Sequence, residues 1–515
     1  MDFTTARIKP FQIVVFVLCV LTMFTYFNFW EILFWPPQGI HFMRQVDSLS
    51  FITYYMHTGN GLFEPGTFSL FSKDGRTASE FPLIYYLMSF VWQAFGRQEF
   101  LIKLIHLTAT TFGLWHLFLL AKRLTNHTIT ALCVVVFGFS SSVWIYYANN
   151  FLPDASALGL TFSGIYFFIK YIHTNQHRAS VFAMLLFMCA ALMKISYFIY
   201  PIALVLYILW LDFRQPLKHK WILLQFVAVT CIVLAWVIFA SYYNSVNHGY
   251  FLSRSKPIWS LDAETIKAVF KMITQYWSTW YYSPPQLIVF ILVLFTGIYA
   301  LKKNYRILLI PFIMLSGAIS FVLLFFHQFH NHDYYMLTIF PMALVMLIFV
   351  LQFITRNAPF FVLLASLIIV GGSGVWGATF AKNYVFWRYW NARENEIDQF
   401  AYVGVRLKDA RSVLDQYGID KDAKFIYIKD PGVNGAPYYC NRFGWNIWDT
   451  TSHRLSNIPT YISEGADYIL LTDSVFISHP VLSQYLAKPV IHHTTFWVFE
   501  PVKDSTKWPT INATH

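Results

Sequence analysis

The chain has 515 residues, of which 57% are hydrophobic, 20% aromatic and only 12% charged. Soluble globular domains carry about 25% charged residues, so a soluble enzyme is excluded, and so many aromatic side chains exclude intrinsic disorder. The net charge of +11 is gathered in short loops between apolar runs, which points to membrane topology rather than to nucleic acid.

In chain order, apolar runs fall at 11–34, 101–120, 128–147, 155–172, 180–195, 197–211, 221–241, 286–301, 307–326, 335–355 and 359–380. At roughly 20 residues per crossing this predicts about eleven spans. The first run follows Arg7 and Lys9, lacks a small-residue cleavage site, and reads as an uncleaved signal anchor. With the N-terminus placed in the cytoplasm, the inside loops carry Lys122, Arg123, Arg178, Arg214, Lys218, Lys220, Lys302, Lys303, Arg306 and Arg356. The short outer loops at 149–154 and 327–334 carry no Lys or Arg, and that asymmetry sets the orientation. Counting 81–95 as a span would invert every later loop. It is therefore expected to be an interfacial or re-entrant helix within a long first outer loop, 36–99.

Beyond residue 384 the composition becomes that of a soluble domain, with 13 basic and 14 acidic residues. A helix-like stretch at 397–417 and β-rich runs at 424–428, 468–471 and 495–499 predict a small α/β domain. The expected organisation is thus an all-α polytopic membrane bundle over 1–384 and an extracytoplasmic α/β domain over 385–515. Cys19, Cys133, Cys189 and Cys231 lie in apolar runs and only Cys440 in a polar segment, so neither a disulfide within that domain nor a thiolate metal site is expected. The sequons Asn126-His-Thr and Asn512-Ala-Thr are short patterns, and the first maps to the cytoplasmic side.

Only 12 of the 26 carboxylates precede residue 385. Asp47, Glu64, Asp74, Glu80, Glu99, Asp154, Asp262, Glu264 and Asp333 all map to the outer side. A carboxylate at the bilayer centre costs roughly 2.5–3.5 kcal/mol, which explains their absence from span centres but not their crowding on one face. The polar chemistry is expected at that outer face. Asp47, in Arg44-Gln-Val-Asp47, is either a general base at the interface or the N-cap of a helix over 49–57. Glu80, just before Pro82, and Asp154, just after Pro153, are either helix-start acids or further carboxylates of the reacting face. Lys194 stands between two short apolar runs, as a phosphate contact or as a snorkelling lysine. His330, His332, Asp333 and Tyr335 open a late span. Their i, i+2 spacing is not that of a helical metal site, leaving hydrogen bonding to a phosphate or sugar, or a polar rim.

Together, Asp47, Glu80-Phe-Pro82-Leu83, Asp154, Lys194 and His332-Asp-Tyr334-Tyr335-Met-Leu-Thr-Ile-Phe-Pro341 resemble the membrane glycosyltransferases of the GT-C fold. The resemblance is to the superfamily of protein mannosyltransferases and aminoarabinose lipid A transferases, including bacterial lipopolysaccharide-core members. It differs in having Phe81 where several relatives carry Lys, and Asn149-Asn150-Phe151 where an Arg is common. The resemblance implies a multi-pass plasma (inner) membrane enzyme with its C-terminal domain outside. It would move a sugar from a polyprenyl-phosphate donor to a lipid, glycan or protein acceptor at the outer face, with inversion. Asp47 would be the base, with Glu80 and Asp154 as the other catalytic carboxylates. Arg44, Lys194, His330, His332, Asp333 and Tyr335 would bind substrate, with no obligatory metal or cofactor and no nucleic acid partner. The alternative is a transporter or flippase, which asks for ionisable residues near the midplane and broken helices. Neither is apparent in the sequence. Reporter fusions at Lys302 and Gly435 are expected to report opposite sides of the membrane, and fusions reporting one side would overturn the orientation.

Overall fold

The computed structural model describes residues 8–214, 216–251, 255–303, 305–394 and 401–508. Asn512 and residues 397–400 of the expected 397–417 helix lie outside them. The chain divides into two compact units, one of residues 1–34, 100–237 and 254–386, the other of 35–99, 238–253 and 387–515. Residues 35–99, which the sequence presents as a loop of the membrane domain, thus pack with the C-terminal segment.

The first unit is helical. Among the described residues, seven helices are long and apolar enough to cross a membrane: Phe100–Thr125, Asp154–Thr174, Lys220–Asn247, Pro284–Lys302, Arg306–Leu324, Asp333–Asn357 and Phe360–Tyr389. Pro10–Tyr26, His177–Met193 and Ile195–Leu211 are apolar but shorter. Asp154–Thr174 and Asp333–Asn357 are each 78% buried by protein over their apolar window, whereas Lys220–Asn247 is 22% buried. The first two form the middle of the bundle, and the third is largely uncovered by protein.

Close helix approach replaces a hydrophobic driving force in such a bundle. A Cβ on Gly113 would lie 2.3 Å from the Gly159 Cα, and one on Gly159 would lie 2.2 Å from the Ala109 carbonyl oxygen. Helices Phe100–Thr125 and Asp154–Thr174 therefore touch backbone to backbone.

The expected span at 128–147 is broken. Thr128–Phe139 and Ser142–Ala148 meet at 83°, with Ser141 Oγ accepting from the Trp144 N–H at the new start. Two carbonyls freed at the break are met from a neighbouring helix start: Gln286 Nε2 donates to Phe137 O at 2.9 Å and Tyr282 OH to Gly138 O at 3.0 Å. A second break falls at Lys194, whose backbone is extended (φ −154°) between helix His177–Met193 and the 3₁₀ turn Ile195–Phe198. A third is the 3₁₀ stretch Asp333–Ile339 that leads into Phe340–Asn357. Broken helices, absent from the sequence reading, are therefore present.

The second unit is built on a five-stranded sheet of order β2-β1-β3-β5-β4. Its strands are β1 (Phe425–Ile428), β2 (Gly444–Ile447), β3 (Tyr468–Leu471), β4 (Leu486–His492) and β5 (Trp497–Pro501). β1 runs parallel to β2 and β3, while β5 is antiparallel to β3 and β4. Alternation along β1 sends Phe425 and Tyr427 into one apolar core and Ile426 and Ile428 into the other, as expected of a strand covered on both faces. The helix-like stretch divides into Ala401–Arg406 and Ala410–Gln416. The outer edge of β2 is closed by the segment 68–70: Gly444 N–H donates to Phe68 O at 3.0 Å and Leu70 N–H to Gly444 O at 2.9 Å. An unpaired edge would be a template for aggregation. Helix Leu83–Phe95 follows, short and apolar, within this unit.

Replacing Gly159 with Leu is expected to destabilise the protein by about 1–3 kcal/mol, the range for overpacking a tight contact. Thermal unfolding in detergent checks this, and an unchanged midpoint would remove the close contact as a source of stability.

Candidate active site

Helix Phe42–Thr58 begins well before Asp47, with His41 at its N-cap position, so Asp47 caps nothing. It lies in the second turn on the face that carries Arg44. Glu80 lies outside the helix it precedes, whose first residue is Leu83 with Pro82 at the cap position. Glu80 instead ends an extended segment pinned by Asn244, whose side chain accepts from the Ala78 N–H at 2.7 Å and donates to Ala78 O at 2.8 Å.

These segments bring Arg44, Asp47 and Glu80 together. Arg44 reaches Asp47 Oδ2 at 3.1 Å and Glu80 Oε2 at 3.7 Å. Glu80 also accepts from Ser79 Oγ, and from Tyr85 OH at 2.6 Å. A third segment was not foreseen: Asn434, in the loop after β1, donates to Asp47 Oδ1 at 2.7 Å. Tyr250 OH donates to Asn434 Oδ1 at 3.1 Å and pairs with Thr67 Oγ1 at 2.7 Å. Loops at the carboxyl ends of parallel strands are where open α/β sheets carry their sites. The run Asp430-Pro-Gly-Val-Asn434-Gly after an apolar strand was the signal available for Asn434.

Asp430 holds that loop. Its buried carboxylate accepts from Gly432 N at 2.8 Å, Ala436 N at 2.6 Å and Asn446 Nδ2 at 2.5 Å. Burial pushes its pKa up to about 7 despite those donors.

The two site carboxylates are pulled in opposite directions. Asp47 is 5% exposed, and burial raises its pKa above the usual carboxylate range against the lowering influence of Arg44 and Asn434. Burial works on Glu80 too, but Arg44, Ser79 and Tyr85 outweigh it and hold its pKa below the ordinary value. Two carboxyl groups set apart in this way take different roles. Glu80 stays ionised and fixes the guanidinium. Asp47 has one donor on each oxygen and so keeps lone pairs to accept a proton.

Asp154 and Lys194 belong to the other unit. Asp154 is the first residue of helix Asp154–Thr174, after Pro153, and its Oδ1 pairs with Lys194 Nζ at 3.0 Å. Lys194 Nζ also lies 4.8 Å from the Tyr334 ring centroid and 4.6 Å from that of Tyr335. It is neither a lone snorkelling lysine nor a bare cation. Asp333 accepts from Tyr147 OH at 2.7 Å, and His332 stacks on Tyr335. His330 is set apart from this group and bonds its neighbour Asn331. Among the described residues no three His, Cys, Asp or Glu side chains are arranged to hold a metal ion.

Residues 79–239 match the family model for dolichyl-phosphate-mannose-protein mannosyltransferases, a stretch that includes Glu80, Asp154 and Lys194. No curated protein matches the sequence. Two solved structures of ArnT from Cupriavidus metallidurans superpose over nearly the whole chain. The apo form is 13% identical with a TM-score of 0.56, covering 97% of this chain and 99% of its own. The form bound to undecaprenyl phosphate is 11% identical with a TM-score of 0.57 over the same shares. The chain has the GT-C fold. The resemblance read from the sequence is borne out in both comparisons. This GT-C chain combines a membrane bundle of apolar helices with a small sheet-containing unit at its C-terminal end.

The Asp154–Lys194 pair changes what a lysine substitution does. Lys194→Met strands a buried carboxylate and is expected to cost about 3 kcal/mol or more. Adding Asp154→Asn should restore much of that loss in a thermal unfolding series. A Lys194→Met protein as stable as the parent would show that the pair contributes nothing.

Proposed function

We propose that the protein transfers a sugar from a polyprenyl-phosphate carrier to a hydroxyl of an envelope lipid, glycan or protein acceptor at the outer face of the membrane. The observation that carries this reading is Asp47: a buried carboxylate of raised proton affinity, aimed by Arg44 and Asn434, on a GT-C fold. Asp47 takes the acceptor's hydroxyl proton as that oxygen bonds to the anomeric carbon. The bond from that carbon to the phosphate oxygen breaks, and the lipid phosphate leaves with the electron pair. A phosphate is a good leaving group and needs no acid to protonate it. Attack opposite the leaving group inverts the configuration, through a centre of oxocarbenium character.

Lys194 is assigned the departing phosphate, whose charge it would stabilise as it develops. Support comes from an apolar groove of about 420 Å³ whose lining includes Ile195, the residue after Lys194, with Ile199, Ile202, Leu206, Ile313 and Gly317. That lining suits a polyprenyl chain. The ArnT structure bound to undecaprenyl phosphate supports a carrier of the same chemical class.

The broken helices favour one other reading, a transporter of lipid-linked sugars. Asp47 separates the two. With a purified polyprenyl-phosphate sugar donor, Asp47→Asn is expected to lose roughly 10²–10⁴-fold in rate while unfolding at the parent temperature. Because the base acts deprotonated and its pKa is raised, kcat/KM should climb with pH on an acid limb above the ordinary carboxylate range. Full turnover in Asp47→Asn would end the assignment, and donor movement without transfer would favour the transporter.

A further inference from the structure

A cavity of about 250 Å³ opens in the sheet-containing unit at the carboxyl ends of β1 and β2. Its walls include the rings of Phe71, Tyr250, Trp448 and Tyr461, with Arg454 and Asn446 among the polar groups. Each wall is held by contacts of its own. Tyr461 stacks on Trp445 with centroids 5.1 Å apart and planes within 9°. The Arg454 guanidinium lies 5.1 Å from the Trp448 ring centroid. Asn446 is 3% exposed, and its amide nitrogen is committed to Asp430 and to Gly432 O. Its Oδ1 is buried and has no hydrogen-bond partner.

We infer that this cavity binds one saccharide ring of the acceptor. Aromatic faces on several sides suit the flat C–H faces of a sugar ring, while its hydroxyls can accept from the lining side chains of Arg454 and Asn457. A lipid chain would leave the Arg454 and Asn457 side chains desolvated without gaining partners. A bare phosphate would waste four aromatic walls around one cation. The cavity also communicates with the base, because the ring of Tyr250 lines it while the hydroxyl of Tyr250 holds Asn434, the residue bonded to Asp47. An acceptor glycan seated here is read by the same tyrosine that orients the base's amide partner. The identification of the saccharide as acceptor rests on the glycosyl-transfer reading above; the binding itself does not.

The test uses full-length protein in detergent, with methyl α-glucoside, glucosamine and glucosamine 6-phosphate as probes in saturation-transfer NMR. At least one probe is expected to show transfer to its ring protons. Trp448→Ala and Arg454→Gln, both at partly exposed positions, should weaken that probe's affinity roughly two- to tenfold, the worth of one aromatic contact. No transfer to any probe, transfer undiminished in both variants, or displacement only by an alkyl chain would each overturn the inference. Turnover with a lipid-linked donor separates the two readings. Sugar binding that depends on Trp448 in a protein without transferase activity would keep the cavity and remove the acceptor role. An active protein whose pocket variants keep full acceptor affinity would remove the cavity and keep the transferase.

Discussion

A carboxylate withdrawn from water has to be met by donors, and the buried Asp47 sets that demand for everything around it. Arg44 meets part of it from one turn away, but the same guanidinium also serves Glu80. Asn434 meets the other oxygen from the far end of the chain. Each of these partners is in turn held by a group with no contact to Asp47. Asn244 brackets the backbone ahead of Glu80, and Asp430 clasps the turn that carries Asn434. One arginine between two acids leaves them unequal, and burial decides which one gives way. The tightly bonded Glu80 keeps its charge, while the less fully satisfied Asp47 is the one whose charged form is disfavoured.

The membrane unit answers the same requirement with other means. Its ion pair at the Lys194 break, Asp154 with Lys194, lies against the rings of Tyr334 and Tyr335. The break itself is stabilised because Met193 ends one helix and a 3₁₀ turn starts the next, so the lysine backbone can be extended. At the other sharp bend, Gln286 and Tyr282 supply donors to carbonyls that would otherwise be stranded in an apolar setting. At these two breaks polar side chains thus stand where the helix has stopped satisfying its own backbone.

Much of this was legible in the sequence, for reasons that differ by element. Apolar length located the helices, since the membrane demands it, and strands 425–428 and 468–471 stood out as short β-branched and aromatic runs. Arg44, Asp47, Glu80, Asp154 and Lys194 were found because charge is scarce in the first part of the chain. What failed was everything set by distant partners. The capping reading of Asp47 used local position only, and helix Phe42–Thr58 begins earlier than its mixed composition suggests. Strand β2 was invisible because Gly444-Trp-Asn-Ile is short and draws its support from β1 and from 68–70. Asn434 was missed because a polar residue in a Gly- and Pro-rich turn looks like any other turn residue until its partner is known.

The bond between Asp47 and Asn434 spans 387 residues of chain. The unit that contains it is assembled from three stretches, the first ending at Glu99 and the last beginning at Trp387. Chains grow from the N-terminus at about 5–20 residues per second, so the first stretch waits tens of seconds for its counterpart. During that interval Asp47 lacks its amide partner, the segment 68–70 lacks the strand it pairs with, and the cavity wall around Tyr250 is incomplete. A truncated or stalled chain therefore inserts a bundle without a finished reaction centre. The long loop closure makes assembly slow, and it ties completion of the Asp47 cluster to completion of the polypeptide.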